Sequence, residues 1–158
     1  MALTLLSVEP KAASLDIKIL ATDIDAQMTA AGRRAVYEES LLADVPTALR
    51  KRYFEPAGGD TAGEWKANAE LRSLVAFREL NLNADWPMRN NFDAIFCRNV
   101  VIYFDEPTQA ALWQKFAARL SPGGWLYIGH SERVNGPAAS LFSGAGVTAY
   151  RLKEGTTP

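Results

Sequence analysis

Short apolar runs alternate along this chain with stretches of helical spacing, and the alternation predicts its elements. Residues 1–9 read as a short helix that ends before Pro10. In "DIKILATD" (16–23), Ile17, Ile19 and Leu20 form a short apolar run bounded by polar residues, which predicts a strand. Met28, Ala31 and Ala35 then recur at i, i+3 and i+7, a helical spacing that Gly32 weakens. "TALRKRYF" (47–54) reads as helix after Pro46, and "EPAGGDTAGE" (55–64) as loop from its glycine and proline content. "EWKANAELRSL" has room for a short strand and a helical turn, and "LVAFREL" (74–80) and "FDAIFC" (92–97) are strands.

Asp105 is a candidate N-cap, with Pro107 in the first turn, where a missing N–H costs nothing. Leu112, Trp113, Phe116, Ala117 and Leu120 give the following helix one apolar face. "SPGG" (121–124) is expected to end it, before strands at "WLYIG" (125–129) and "GVTAYRL" (146–152). Strands alternating with helices predict an α/β fold, a mostly parallel sheet covered on both faces. Ligands bind such sheets outside the carboxyl ends of the strands. Four strand ends here turn polar: "TDID", "NLN", "RN" at 98–99, and "GHSE".

Composition narrows the classes. The 158 residues are the size of one ordinary domain, and 48% of them are hydrophobic, enough for a core. Seventeen basic and 18 acidic residues leave a net charge of −1, which gives no support for general nucleic-acid or membrane binding. The single cysteine, Cys97, excludes an internal disulfide and fits a reducing compartment. No apolar run reaches membrane-span length, and "MALTLLSVEP" lacks the basic start of a leader, so a cytoplasmic protein is expected.

Each candidate residue has a plainer alternative. Asp23, at a strand's carboxyl end, can accept hydrogen bonds from ribose hydroxyls or cap the next helix, and for Asp25 capping is the stronger reading. Arg98 and Asn99 can bind a carboxylate or fix a reacting group, or Arg98 can pair with a structural acid. Tyr103 can orient a polar ligand or belong to the core. Cys97 reads as a small buried hydrophobe and His130 as a loop-bonding residue. One histidine and one cysteine make no metal-ligand set.

"ATDID", then "NLN" ahead of "FDAIFCRNVVIYFD", then "LSPGGWLYIGHSE" and a final "VTAYRL" resemble the CheR chemotaxis receptor methyltransferases in the same order. The resemblance implies a Rossmann-like class I methyltransferase fold with S-adenosylmethionine as cofactor and S-adenosylhomocysteine as product. It implies O-methylation of glutamate side chains on the cytoplasmic domain of chemotaxis receptors. Asp23 then matches the residue at the adenosine ribose, Asn81 and Leu82 the pair lining the adenosine pocket, and Arg98 and Asn99 the pair at the cofactor site. Tyr103 matches a tyrosine near methyl transfer, so Arg98 and Tyr103 are the candidate catalytic residues. Residues 1–158 would form one partial methyltransferase domain. A small β-subdomain at about 53–75 would be inserted in it, which in some members docks a receptor's C-terminal pentapeptide. Lys66 and Arg72 there read as a solvated face, with peptide contact as the alternative.

The chain lacks the family's N-terminal helical domain and its first strand with a glycine-containing loop. That strand would sit beside the strands ending at Asp23 and Cys97, so both are expected to lack a ladder partner on one edge. Cofactor binding by this chain alone is expected to be weak or absent, and a truncated gene model or fragment is favoured over a natural short form. A monomer is expected for the complete protein. The competing readings are a non-catalytic docking or regulatory module from the same fold, and a dehydrogenase-type nucleotide binder. The latter is disfavoured because no G-x-G-x-x-G follows a strand.

Overall fold

The computed structural model describes residues 1–58 and 63–155, and positions 59–62 of the expected loop lie outside the described residues. The chain divides into two compact units, Met1–Asn81 and Leu82–Pro158.

The first unit runs α1 (Ala2–Val8), β1 (Ile19–Asp23), α2 (Ala26–Arg34), β2 (Val36–Glu38), α3 (Thr47–Tyr53), β3 (Phe54–Pro56), β4 (Glu64–Ala67), α4 (Ala69–Ser73) and β5 (Val75–Glu79). β1 pairs in parallel with β5, from Ile19 opposite Val75 to Asp23 opposite Glu79. β2, β4 and β3 form a separate antiparallel sheet with β4 in the middle. The core gathers Leu6, Ala12, Leu42, Tyr53, Phe54, Leu71 and Leu74. α2 forms where expected, but its buried face differs. Met28 is exposed, while Gly32 lies so close to the Phe77 ring that a Cβ there would push against it. Asn68 caps α4 by accepting from the Leu71 N–H at 3.0 Å.

The second unit contains β6 (Phe92–Cys97), α5 (Glu106–Arg119), β7 (Leu120–Ile128), β8 (Phe142–Gly144) and β9 (Ala149–Leu152). The sheet order is β6-β7-β9-β8, with β6 and β7 parallel and the rest antiparallel. Asp105 caps α5 as expected, accepting from the Thr108 N–H at 3.0 Å. Hydrogen bonds from the side chain and backbone of Thr108 hold its carboxyl below its ordinary pKa. Of the predicted apolar face, Leu112, Trp113, Phe116 and Ala117 are buried on α5, while Leu120 is buried as the first residue of β7, and all share one cluster with Cys97, Leu126 and Ile128. Burying side chains of this size contributes roughly 1.5–3 kcal/mol each.

Two expectations are corrected, the turn at 121–124 and the mostly parallel sheet. "SPGG" is not a helix-ending turn: α5 stops at Arg119, and residues 121–124 already belong to β7. Leu120 faces Phe92, and the register shifts between Phe92 and Ala94. The last strand is half a hairpin, since β8, too short for any periodicity, pairs antiparallel with β9. The mostly parallel sheet reduces to the β1–β5 and β6–β7 ladders, and the cover is uneven: Phe96 on the face of β6 away from α5 is 48% exposed and stacks on Tyr127. Among the described residues, β1 has β5 as its only ladder partner and β6 has β7, so each keeps one unpaired edge.

Candidate functional site

In the first unit the site candidate is the turn after β1. Asp23 ends the strand exposed, and its Oδ1 accepts from the Asp25 N–H at 2.9 Å. Asp25 in turn accepts from the Gln27 N–H at 2.7 Å and is the N-cap of α2. The two acids therefore divide the roles that sequence left open. Asp25 is the helix cap, while Asp23 keeps Oδ2 without a hydrogen-bond partner among the described residues. The Asp23 carbonyl accepts from the Leu80 N–H at 2.9 Å, which holds the neighbouring strand end in place. Asn81 follows, exposed.

The second unit carries the turn after β6. Arg98 is exposed, and its guanidinium makes no hydrogen bond or ion pair among the described residues, so the structural-partner alternative is not what is seen. Asn99 has φ 58°, in the left-handed region that asparagine tolerates better than most residues. A residue that sequence reading passed over holds this turn. Glu132 is only 4% exposed, and its carboxylate takes four backbone N–H groups. Oε1 accepts from Val100 at 3.1 Å and Val101 at 2.9 Å. Oε2 accepts from Gly129 at 2.5 Å and Asn99 at 3.4 Å. A buried carboxylate left unanswered would cost several kcal/mol, and here amides answer it, with no cation in ion-pair range among the described residues. Gly129 is part of the lock, because a Cβ there would lie 2.5 Å from Asn99 Oδ1 and 2.9 Å from Glu132 Oε2. The acid of "GHSE" was in view, but nothing local marks it as the partner of residues some thirty positions earlier.

Cys97 is buried directly before this turn, and its thiol is pushed up to about 12, first by burial and then by the Glu132 charge. Burial and the raised thiol fit the reading of Cys97 as a small buried hydrophobe. His130 is exposed, and its carbonyl accepts from the Arg133 guanidinium at 2.8 Å. Tyr103 is 81% exposed and is not core. Leu82 is half-buried, and its carbonyl accepts from Trp86 Nε1 at 3.0 Å. Lys115, also unforeseen, donates to the carbonyls of Leu82, Asn83 and Ala84 at 3.0–3.2 Å and clamps the loop after β5 from α5. Among the described residues no group of three or more His, Cys, Asp or Glu could hold a metal ion, and no helix is long and apolar enough to cross a membrane.

Strand–helix alternation with an acid at one strand's carboxyl end and a locked polar turn at another defines a Rossmann-like α/β class. Residues 1–150 match the model of the CheR methyltransferase SAM-binding domain, and the chain belongs to that family. It is 50% identical over 151 residues to a probable chemotaxis protein methyltransferase of Rhizobium etli, covering 96% of this chain and 56% of that protein. It is 44% identical over 135 residues to chemotaxis protein methyltransferase 2 of Pseudomonas aeruginosa, covering 85% of this chain and 48% of that protein. With the chemotaxis protein methyltransferase of Escherichia coli it shares 36% identity over 138 residues, 87% of this chain and 48% of that protein. The chain thus spans about half the length of the curated relatives it matches.

Proposed function

We propose that this chain is the cofactor-binding part of a chemotaxis receptor methyltransferase that methylates glutamate side chains with S-adenosylmethionine. The observation that carries the reading is the turn after β6, where a buried carboxylate spends its hydrogen bonds on the backbone and leaves the Arg98 side chain unpaired. The chemistry of the donor set suits the cofactor. Asp23 Oδ2 is an open acceptor for a ribose hydroxyl, and Asn81 and Leu82 would line the adenine. Arg98 and Asn99 offer donors to the carboxylate of the methionyl end.

The cofactor, when bound, supplies an electrophilic sulfonium methyl. The chain's own part is to bind and orient. A substrate glutamate is already ionised near neutral pH, so no general base is required. Rate then depends on alignment and on excluding water. Tyr103, with its hydroxyl in solvent, would orient the attacking carboxylate, and Arg98 would steady the charges around it. The chemotaxis receptor's cytoplasmic domain is the proposed partner and the cytoplasm the proposed location. The β2–β4–β3 sheet, with the inserted segment at about 53–75, is the proposed dock for a receptor C-terminal peptide.

Calorimetric titration of S-adenosylhomocysteine into the folded chain tests this reading. Weak binding, abolished by Asp23→Ala and absent for NAD, is expected. Binding that survives Asp23→Ala, or a preference for NAD, contradicts it. A folded chain that binds neither speaks for a docking module or for a cofactor site completed by residues outside this chain.

A further inference from the structure

We propose that Glu132 is a positioning residue whose carboxylate fills a nest of consecutive backbone N–H groups at residues 99–101 and thereby sets the turn presenting Arg98 and Asn99. The inference rests on the cofactor reading above and deepens it. Asn99 is left-handed at φ 58° and Val100 right-handed at φ −117°, ψ −44°. Successive residues of opposite hand aim their N–H groups into one concavity, the arrangement that elsewhere receives phosphate or another anion. Here the anion comes from the chain itself. The three N–H groups of Asn99, Val100 and Val101 all converge on Glu132, and the Gly129 N–H joins them from the end of β7. One side chain therefore ties together the turns that follow two adjacent parallel strands.

This has a consequence for ligand chemistry. The amides at the end of β6 are already taken, so no phosphate can use them. A ligand at this turn must be held by the side chains of Arg98 and Asn99. That favours a nucleoside without phosphates over a dinucleotide, and the preference is built into the backbone.

Chemical rescue tests it on the full chain. In Glu132→Ala the amide resonances of Asn99, Val100, Val101 and Gly129 should leave their wild-type positions, and sodium formate should return them saturably while sodium chloride at equal ionic strength does not. If Glu132→Ala folds neither with nor without formate, Glu132→Gln decides, since its amide nitrogen confronts two of the four donors. The same four resonances should move, while those of Asp25 and Gln27 stay. S-adenosylhomocysteine affinity should fall about tenfold or more in Glu132→Gln, the scale of hydrogen bonds to a charged group. It should be unchanged in Phe142→Leu, which loosens the β8–β9 hairpin and alters none of the hydrogen bonds to Glu132. Unmoved amides in a folded Glu132 variant, or an affinity loss matched by Phe142→Leu, overturn the proposal. If the wild-type chain fails to bind S-adenosylhomocysteine, the cofactor reading loses its support from this chain and the formate response alone decides the nest.

Discussion

The polar turns after β1 and after β6 do similar work by opposite means. After β1 the side-chain bonds are local: Asp23 accepts from the residue two positions on, and Asp25 does the same for Gln27. After β6 the turn takes its shape from Glu132, more than thirty residues later, and from a glycine on the neighbouring strand. The first turn rests on exposed acids that any helix start could supply. The second rests on a buried charge, a left-handed asparagine and a close approach that only glycine permits. The difference implies that the first can be altered piece by piece, whereas the second fails as a unit.

Cys97 gives the widest separation. Burial and the nearby Glu132 charge both disfavour the thiolate and push the folded thiol up to about 12. At pH 8 its alkylation by iodoacetamide should be on the order of a thousandfold slower than that of a free cysteine. The unfolded thiol ionises first, so this group's contribution to stability is present below the ordinary cysteine pKa and is lost as pH rises above it. Fast alkylation of the folded protein would mean the turn after β6 stands open.

Two glycine substitutions come next. Gly129→Ala puts a methyl group against Asn99 and Glu132, including the Asn99 backbone nitrogen at 3.0 Å, and should cost roughly 1–3 kcal/mol in chemical denaturation. Gly32→Ala also meets its neighbour closely, but that neighbour is the half-buried ring of Phe77, which can swing aside. Alanine is favoured within a helix by about 1 kcal/mol, so the net change at Gly32 should stay under about 1 kcal/mol. Equal costs at the two sites would mean that the contacts around Gly129 are no stiffer than an ordinary helix packing contact. The smallest effect is expected at Asp25, where Asp25→Ala removes a helix cap worth about 1 kcal/mol and should leave the amide resonances of 98–101 in place.

What sequence could show follows the same division. The strand at 92–97, the cap at Asp105 and the apolar face of α5 were legible because each rests on spacing or on a neighbour within one helical turn. The polar break at Arg98–Asn99 was legible as the end of a strand. Its support was not, because an exposed acid and a buried one look alike in "GHSE". Gly32 looked like a flaw in a helix until Phe77 was placed against it. β2 and β8, three residues each, are too short to carry a period and exist only through their partners. Lys115 sits among ordinary helix residues and shows its role only when the carbonyls of 82–84 come within reach.

The proposal on which most depends is that residues of each turn take part in binding an adenosine-containing cofactor. Nitrogen-15 spectra of the folded chain, recorded while S-adenosylhomocysteine is raised to millimolar concentration, test it most directly. The resonances of Asp23, Asn81, Leu82, Arg98 and Asn99 should move together along one saturation curve. Saturable shifts confined to other residues, or shifts in one turn without the other, would contradict it.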